Sequence, residues 1–186
     1  IYYDKLARWV RDTERDSRTL CRDPGFANPV AGDFHPLSTA GRYVVSNGVW
    51  VFDSRTSPLV DAGDPAAAYG SVSCPNGSRV NIGLYANTGE ASRTPTNASL
   101  TLLSLVDGGR ADGTNYAVRW VARGGATGHL VRLDFSGDDG ATWQSVAANL
   151  AATSQVYSWD TTLFTSTGRG VLSIASENDT NVFDRT

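Results

Sequence analysis

The sequence predicts an all-β chain in two parts, a loop-rich first half followed by antiparallel sheet structure. Three observations carry this. Turn signals crowd the first 92 residues, where Asp23-Pro24-Gly25, Asn47-Gly48, Asp64-Pro65 and Pro75-Asn76-Gly77 separate short apolar pieces. From Leu100 onward, apolar runs of strand length recur at the spacing of a β-sandwich. Helical periodicity is confined to residues 1–13, where Ile1, Tyr2, Leu6, Trp9 and Val10 fit one short amphipathic helix.

The polar stretch Arg93-Thr94-Pro95-Thr96-Asn97-Ala98-Ser99 marks the change of character, giving a first part over 1–93, a linker over 94–99 and a sheet domain over 100–186. The expected strands of that domain are 100–105, 116–122, 130–136, 142–146, 156–159 and 171–175. In the second, Tyr116, Val118 and Trp120 fall on one face and Arg119 on the other. In the third, Val131, Leu133 and Phe135 share one face, with Arg132 and Asp134 opposite. Both patterns describe antiparallel strands with one dry side.

Composition excludes several classes. Hydrophobic residues make up 40% of the 186 and charged residues 19%, which is a core-forming balance and not that of a disordered chain. The net charge of −3 argues against a nucleic-acid footprint. No apolar run approaches the about 18–20 residues of a membrane helix. The chain contains no Met and begins at Ile1, so the expectation is a processed piece of a longer exported precursor, located outside the cell or on its surface. Cys21 and Cys74 are the only cysteines. They close a long loop if paired, which suits an oxidising exterior, or stand as two buried thiols.

Ser136-Gly137-Asp138-Asp139-Gly140-Ala141-Thr142-Trp143 matches the Asp-box pattern Ser/Thr-x-Asp-x-Gly-x-x-Trp/Phe at every defined position. The Asp-box resemblance implies a structural role. Asp138 accepts backbone N–H bonds in a hairpin turn with Ser136 at its start, Gly140 takes positive φ, and Trp143 covers the hairpin. The wider stretch, through Val118-Arg119-Trp120, Leu130 to Ser136, Tyr157-Ser158-Trp159 and Val171 to Ser176, resembles bacterial extracellular immunoglobulin-like or fibronectin-type-III-like sandwiches. Asn181-Val182-Phe183-Asp184 resembles the segment that precedes the last strand of such modules, so that strand is expected to be missing or supplied by a neighbour.

The first half resembles the C-terminal end of secreted right-handed parallel β-helix proteins. The resemblance rests on Asp23 to Pro29, Gly32-Asp33-Phe34-His35, Ser38 to Arg42, Ser57-Pro58-Leu59-Val60-Asp61-Ala62-Gly63-Asp64-Pro65 and Asn76 to Tyr85. It implies a β-helix-like end piece. Terminal rungs without upstream neighbours and a sandwich without its last strand leave two open ends. Head-to-tail packing covers both, giving a filament whose contacts are expected at Ile1, Tyr2 and Tyr3 and at Val182 and Phe183. A fragment whose missing parts are simply absent is the other reading.

No catalytic constellation emerges. His35 and His129 are isolated in the sequence, and no nucleophile elbow, phosphate loop or His-Glu-x-x-His occurs. Asp61 and Asp64, with Asp53 nearby, form a carboxylate group of glycosidase type, but Ala62-Gly63 and Pro65 around them read as an Asp-stabilised turn. The expectation is a protein without enzymatic activity. Asn76, Asn97 and Asn178 head N-x-Ser/Thr sequons, and Thr94 and Thr96 flank Pro95 in an O-glycosylation context. Asp138, Asp139 and the turn from Asn178 to Asn181 offer oxygens suited to calcium, the one cofactor considered. Trp120, Trp143 and Trp159 read as core or hairpin covers, and Trp9 and Trp50 as the better candidates for stacking on a glycan. The expected role is structural or adhesive, with self-association as the partner reading. A carbohydrate-binding appendage of a larger polysaccharide-acting enzyme or adhesin is the alternative.

Overall fold

The computed structural model describes residues 20, 22–105, 111 and 113–186. The expected helix over 1–13 and the contact residues Ile1, Tyr2 and Tyr3 lie outside them, as do Trp9 and Cys21. The described residues are all-β, and their helical content is short 3-10 turns. They fall into two compact units. A loop-rich unit comprises Asp23–Ser99 with Arg123–Gly125. A sheet unit comprises Leu100–Ala122 and Ala126–Thr186, with Leu20 and Arg22 before them.

In the loop-rich unit the paired strands are two antiparallel ribbons, β1 (Phe26–Asn28) with β2 (Asp33–Pro36), and β3 (Arg42–Val44) with β4 (Val49–Val51). The second ribbon turns at the Asn47-Gly48 step. Gly48 has φ +69° and donates its N–H to Val44 O at 2.9 Å, while Asn47 Oδ1 accepts the Val49 N–H. Such short strands satisfy few backbone groups, so side chains complete the wiring. Ser57 Oγ donates to Pro24 O, Ser92 Oγ to Pro36 O and Ser38 Oγ to Arg93 O. Asn81 accepts the Asp61 N–H and donates to Ser92 O. Leu59, Val60, Ala62, Val72, Val80 and Ala91 fill the small apolar interior. The expected linker is part of this unit. Thr94 and Pro95 are buried, and the Thr94 N–H donates to Pro75 O.

The sheet unit holds β5 (Ser99–Leu102), β6 (Tyr116–Arg123), β7 (Leu130–Ser136), β8 (Gln144–Ala151), β9 (Val156–Trp159), β10 (Val171–Ser176) and β11 (Phe183–Arg185). One sheet runs β5-β6-β9 and the other β11-β10-β7-β8. The β6–β9 pair and all the pairs of the larger sheet are antiparallel. Val131 and Leu133 of β7, Leu172 and Ile174 of β10, Leu100 and Leu102 of β5, and Val118 and Trp120 of β6 are buried. The two sheets meet where the Phe135 ring lies 5.3 Å from that of Trp159, with Phe164 against both. Trp120 donates its indole N–H to Ala152 O, so its polar edge is satisfied inside the core.

Three expectations about this unit need correction. The first strand, expected over 100–105, is β5 over Ser99–Leu102, and Leu105 with φ +57° is outside extended backbone. The fourth strand, expected over 142–146, begins at Gln144, because Thr142 is tied into the turn by Asp138, and it runs on to Ala151, because the neutral Ala-rich stretch continues its pairing with β7. The C-terminal segment also forms a strand of its own, β11, on the edge beside β10. Asp179 starts the turn that delivers it, accepting the Asn181 N–H on its side chain and the Val182 N–H on its carbonyl.

Candidate functional site

The Ser136–Trp143 turn joins β7 to β8 and is built by its own side chains. Ser136 Oγ donates to Asp138 Oδ1 at 2.7 Å and accepts the Gly140 N–H at 2.8 Å. Asp138 accepts the Thr142 N–H and hydroxyl at 2.8 and 2.7 Å. These donors, the Thr142 N–H first, hold the Asp138 carboxyl down at about 2. Gly140 has φ +88°, and Trp143 lies beneath the Arg185 guanidinium, 5.0 Å from ring centroid to carbon. The oxygens considered for calcium are engaged as well. Asp139 pairs with Arg169 at 2.7 Å, and Asp179 binds both nitrogens of Asn181. Among the described residues no three His, Cys, Asp or Glu side chains are placed to hold a metal ion.

The larger sheet has two edges of different kinds. β11, expected to border an open groove, is tied down. Arg22 donates to Asp184 Oδ2 at 2.8 Å, to Leu102 O at 3.1 Å and to Arg185 O at 3.4 Å, and the Leu102 N–H donates to Asp184 Oδ2 at 2.7 Å. Val182, expected at a subunit contact, is 7% exposed in the unit's own core, whereas Phe183 is 51% exposed beside Arg185. The opposite edge is β8, whose strand partner among the described residues is β7 alone. Its eight residues, Gln144 to Ala151, include no charge and no proline, the features that commonly protect an edge. It is bent instead. The register with β7 slips on both sides of Leu133, and Asn149 has φ +56° with its N–H donated to Glu177. The sequence spans the strand but not its place at an edge, which depends on sheet order.

In the loop-rich unit the suspected carboxylate group is dispersed. Asp61, 2% exposed, accepts the Thr94 hydroxyl at 2.8 Å and the Gly77 N–H at 3.2 Å, and its Oδ2 lies 3.4 Å from Arg123 Nε. Arg123 donates to Val60 O, so Asp61 Oδ2 has a charge partner without a hydrogen bond. Burial pushes the Asp61 carboxyl up, against the pull of Arg123, Thr94 and Gly77. Asp64 is exposed and accepts the Ala66 N–H, while Asp53 pairs with Arg42 at 3.2 Å. The three serve different turns.

Of the modification candidates, Asn97, Thr96 and Asn178 are exposed. Thr94 is buried with its hydroxyl committed to Asp61, and Asn76 donates to Val72 O and accepts the Ser78 N–H. Thr94 is therefore closed to a glycan, and Asn76 is half-buried. Cys74 is exposed, and Cys21, the other member of the pairing considered for it, lies outside the described residues. Trp50 is half-buried, and the Arg93 guanidinium covers one ring face at 3.8 Å, which removes that face as a sugar platform. Among the described residues no helix is long and apolar enough to cross a membrane.

One cluster escaped the sequence reading. His35, 1% exposed, sits with Asp33, Tyr85 and Glu90. The two-residue spacing of Asp33 and His35 on a strand was the available signal. Tyr85 and Glu90 had none, since they arrive from turns some 50 residues on. No family model, curated protein or solved structure matches the chain.

Proposed function

We propose that the protein is a non-enzymatic structural or adhesive protein of the cell exterior that joins copies of itself, with the β8 edge as the joint. The observation that carries this is the uncharged outer edge of β8, beside β7 in the larger sheet. An open edge offers unpaired N–H and C=O groups to any extended segment that can lie beside it, and backbone bonds then supply the affinity. The bends in β8 favour a single extended segment over the straight edge of a second sheet. The Ile1-Tyr2-Tyr3 segment of a neighbouring copy is the donor we assign, giving a head-to-tail contact that does not close on itself. Engagement of Asp61, Asp64, Asp53 and Asp138 in turns and ion pairs supports the non-catalytic part of the reading. The extracellular setting rests on the resemblance of both halves to secreted proteins.

The test is light scattering on a sizing column, with negative-stain microscopy, across a concentration series. The wild-type chain is expected to assemble with rising concentration. Ser145→Lys with Ala148→Lys, both at exposed β8 positions, is expected to remain monomeric with an unchanged circular dichroism spectrum. A wild-type chain that stays monomeric throughout the series overturns the proposal.

A further inference from the structure

The His35 ring is a buried titratable group with one nitrogen satisfied and the other not. Nδ1 lies 2.6 Å from Asp33 Oδ1, which also accepts the His35 backbone N–H at 3.1 Å. Burial pushes the Asp33 carboxyl up, and the two His35 donors with Arg42 outweigh it, leaving the group below its ordinary value. Asp33 is therefore the ionised acceptor, and the His35 proton sits on Nδ1. Nε2 is then a bare lone pair, buried and without a hydrogen-bond partner, facing Glu90 Oε2 at 3.6 Å. Tyr85 stacks on the ring at 3.6 Å between centroids and 10° between planes, so the imidazole cannot turn to a better geometry. Tyr43 stands at 6.5 Å, and Arg42 is shared between Asp33 and Asp53. The groups facing His35 are thus Asp33 from β2 itself, Tyr43 and Arg42 from β3, and Tyr85 and Glu90 from the turns that follow Gly83.

Two acceptors 3.6 Å apart repel, and one proton between them makes a hydrogen bond. We infer that His35 and Glu90 form a proton-operated clasp, which ties β2 to the Thr88–Ala91 turn in acid and lets it go at higher pH. Glu90 is the moving part. Its side chain is 40% exposed, while its N–H is held by the Thr88 hydroxyl, so the carboxylate can swing without unravelling the turn. The clasp is independent of the β8 edge.

The test compares the wild-type chain with Glu90→Gln by amide hydrogen exchange between about pH 8 and 5.5, the range in which imidazole titrates. A Gln amide donates to Nε2 without an added proton, so the variant is clasped at every pH. The Ala91 amide of the wild type is expected to gain about tenfold in protection on acidification, roughly the worth of one such bond. The variant is expected to show that protection already at the upper pH and to change little. Nitrogen chemical shifts of the His35 ring give a second readout, with Nε2 bare at the upper pH and protonated at the lower. Parallel pH profiles for the two chains, or an Nε2 proton already present at pH 8, overturn the inference.

Discussion

Asp138 and Asp61 are both aspartates in turns, and their surroundings drive them in opposite directions. Asp138 collects donors from Ser136 and Thr142, all within four residues, and its carboxyl falls to about 2. A depressed carboxyl stabilises the folded state above its unfolded value of 3.8, and this is lost as pH falls from there towards 2. Asp138→Asn is expected to abolish that part of the acid sensitivity of the sheet unit, read as the pH dependence of its thermal midpoint. Asp61 is raised, so over its titration window stability runs the other way and declines as pH rises. The first aspartate was legible in the sequence because its partners are local. The second was not, since Thr94 lies 33 residues away and Arg123 62. Gly77 shows how tightly Asp61 is enclosed, as a Cβ there would stand 2.5 Å from the Asp61 carboxyl carbon.

Strands that bury apolar side chains were legible, whereas the neutral edge strand β8 and the shortest strands were hidden for a physical reason. β7 and β9 occupy the expected residues, with β6 and β10 one residue longer. β7 shows the period of two, Val131 and Leu133 buried between exposed Leu130 and Arg132, while β6 and β10 are runs buried on both sides. β1, β3, β4 and β11 have three residues each, too few for any period, and are defined by the turns and side chains that hold them. β11 depends on Asp184, which accepts from both Arg22 and the Leu102 backbone. Asp184→Ala is expected to leave that Leu102 N–H without its acceptor and cost about 1–3 kcal/mol. The loss would appear in hydrogen exchange as selective deprotection at Leu102 and along Phe183–Arg185, while β7 keeps its protection. Uniform loss across the sheet would show that β11 is not a separate element.

At the scale of the whole molecule, composition marks a change of character over 93–99, but the return of the chain to the loop-rich unit leaves no such mark. Arg123–Gly125, at the end of β6, belongs to the loop-rich unit, where Arg123 pairs with Asp61 and donates to the Val60 carbonyl. A fragment of residues 23–99 therefore lacks the charge that Asp61 needs. It is expected not to fold, as judged by a collapsed amide spectrum, whereas a fragment carried on through Gly125 retains the pair. In the full chain, Arg123→Leu is expected to cost about 3–5 kcal/mol, since it strands a buried carboxylate. Native stability of the 23–99 fragment would contradict both expectations.

Arg123 also bears on heredity. A gene fusion that joined residues 1–99 to some other sheet domain would produce a loop-rich unit with an orphaned acid at its centre, unless the newcomer carried a guanidinium in the same place. A cut at the apparent seam after Ser99 thus separates Asp61 from the guanidinium it pairs with, so the two segments are inherited as one.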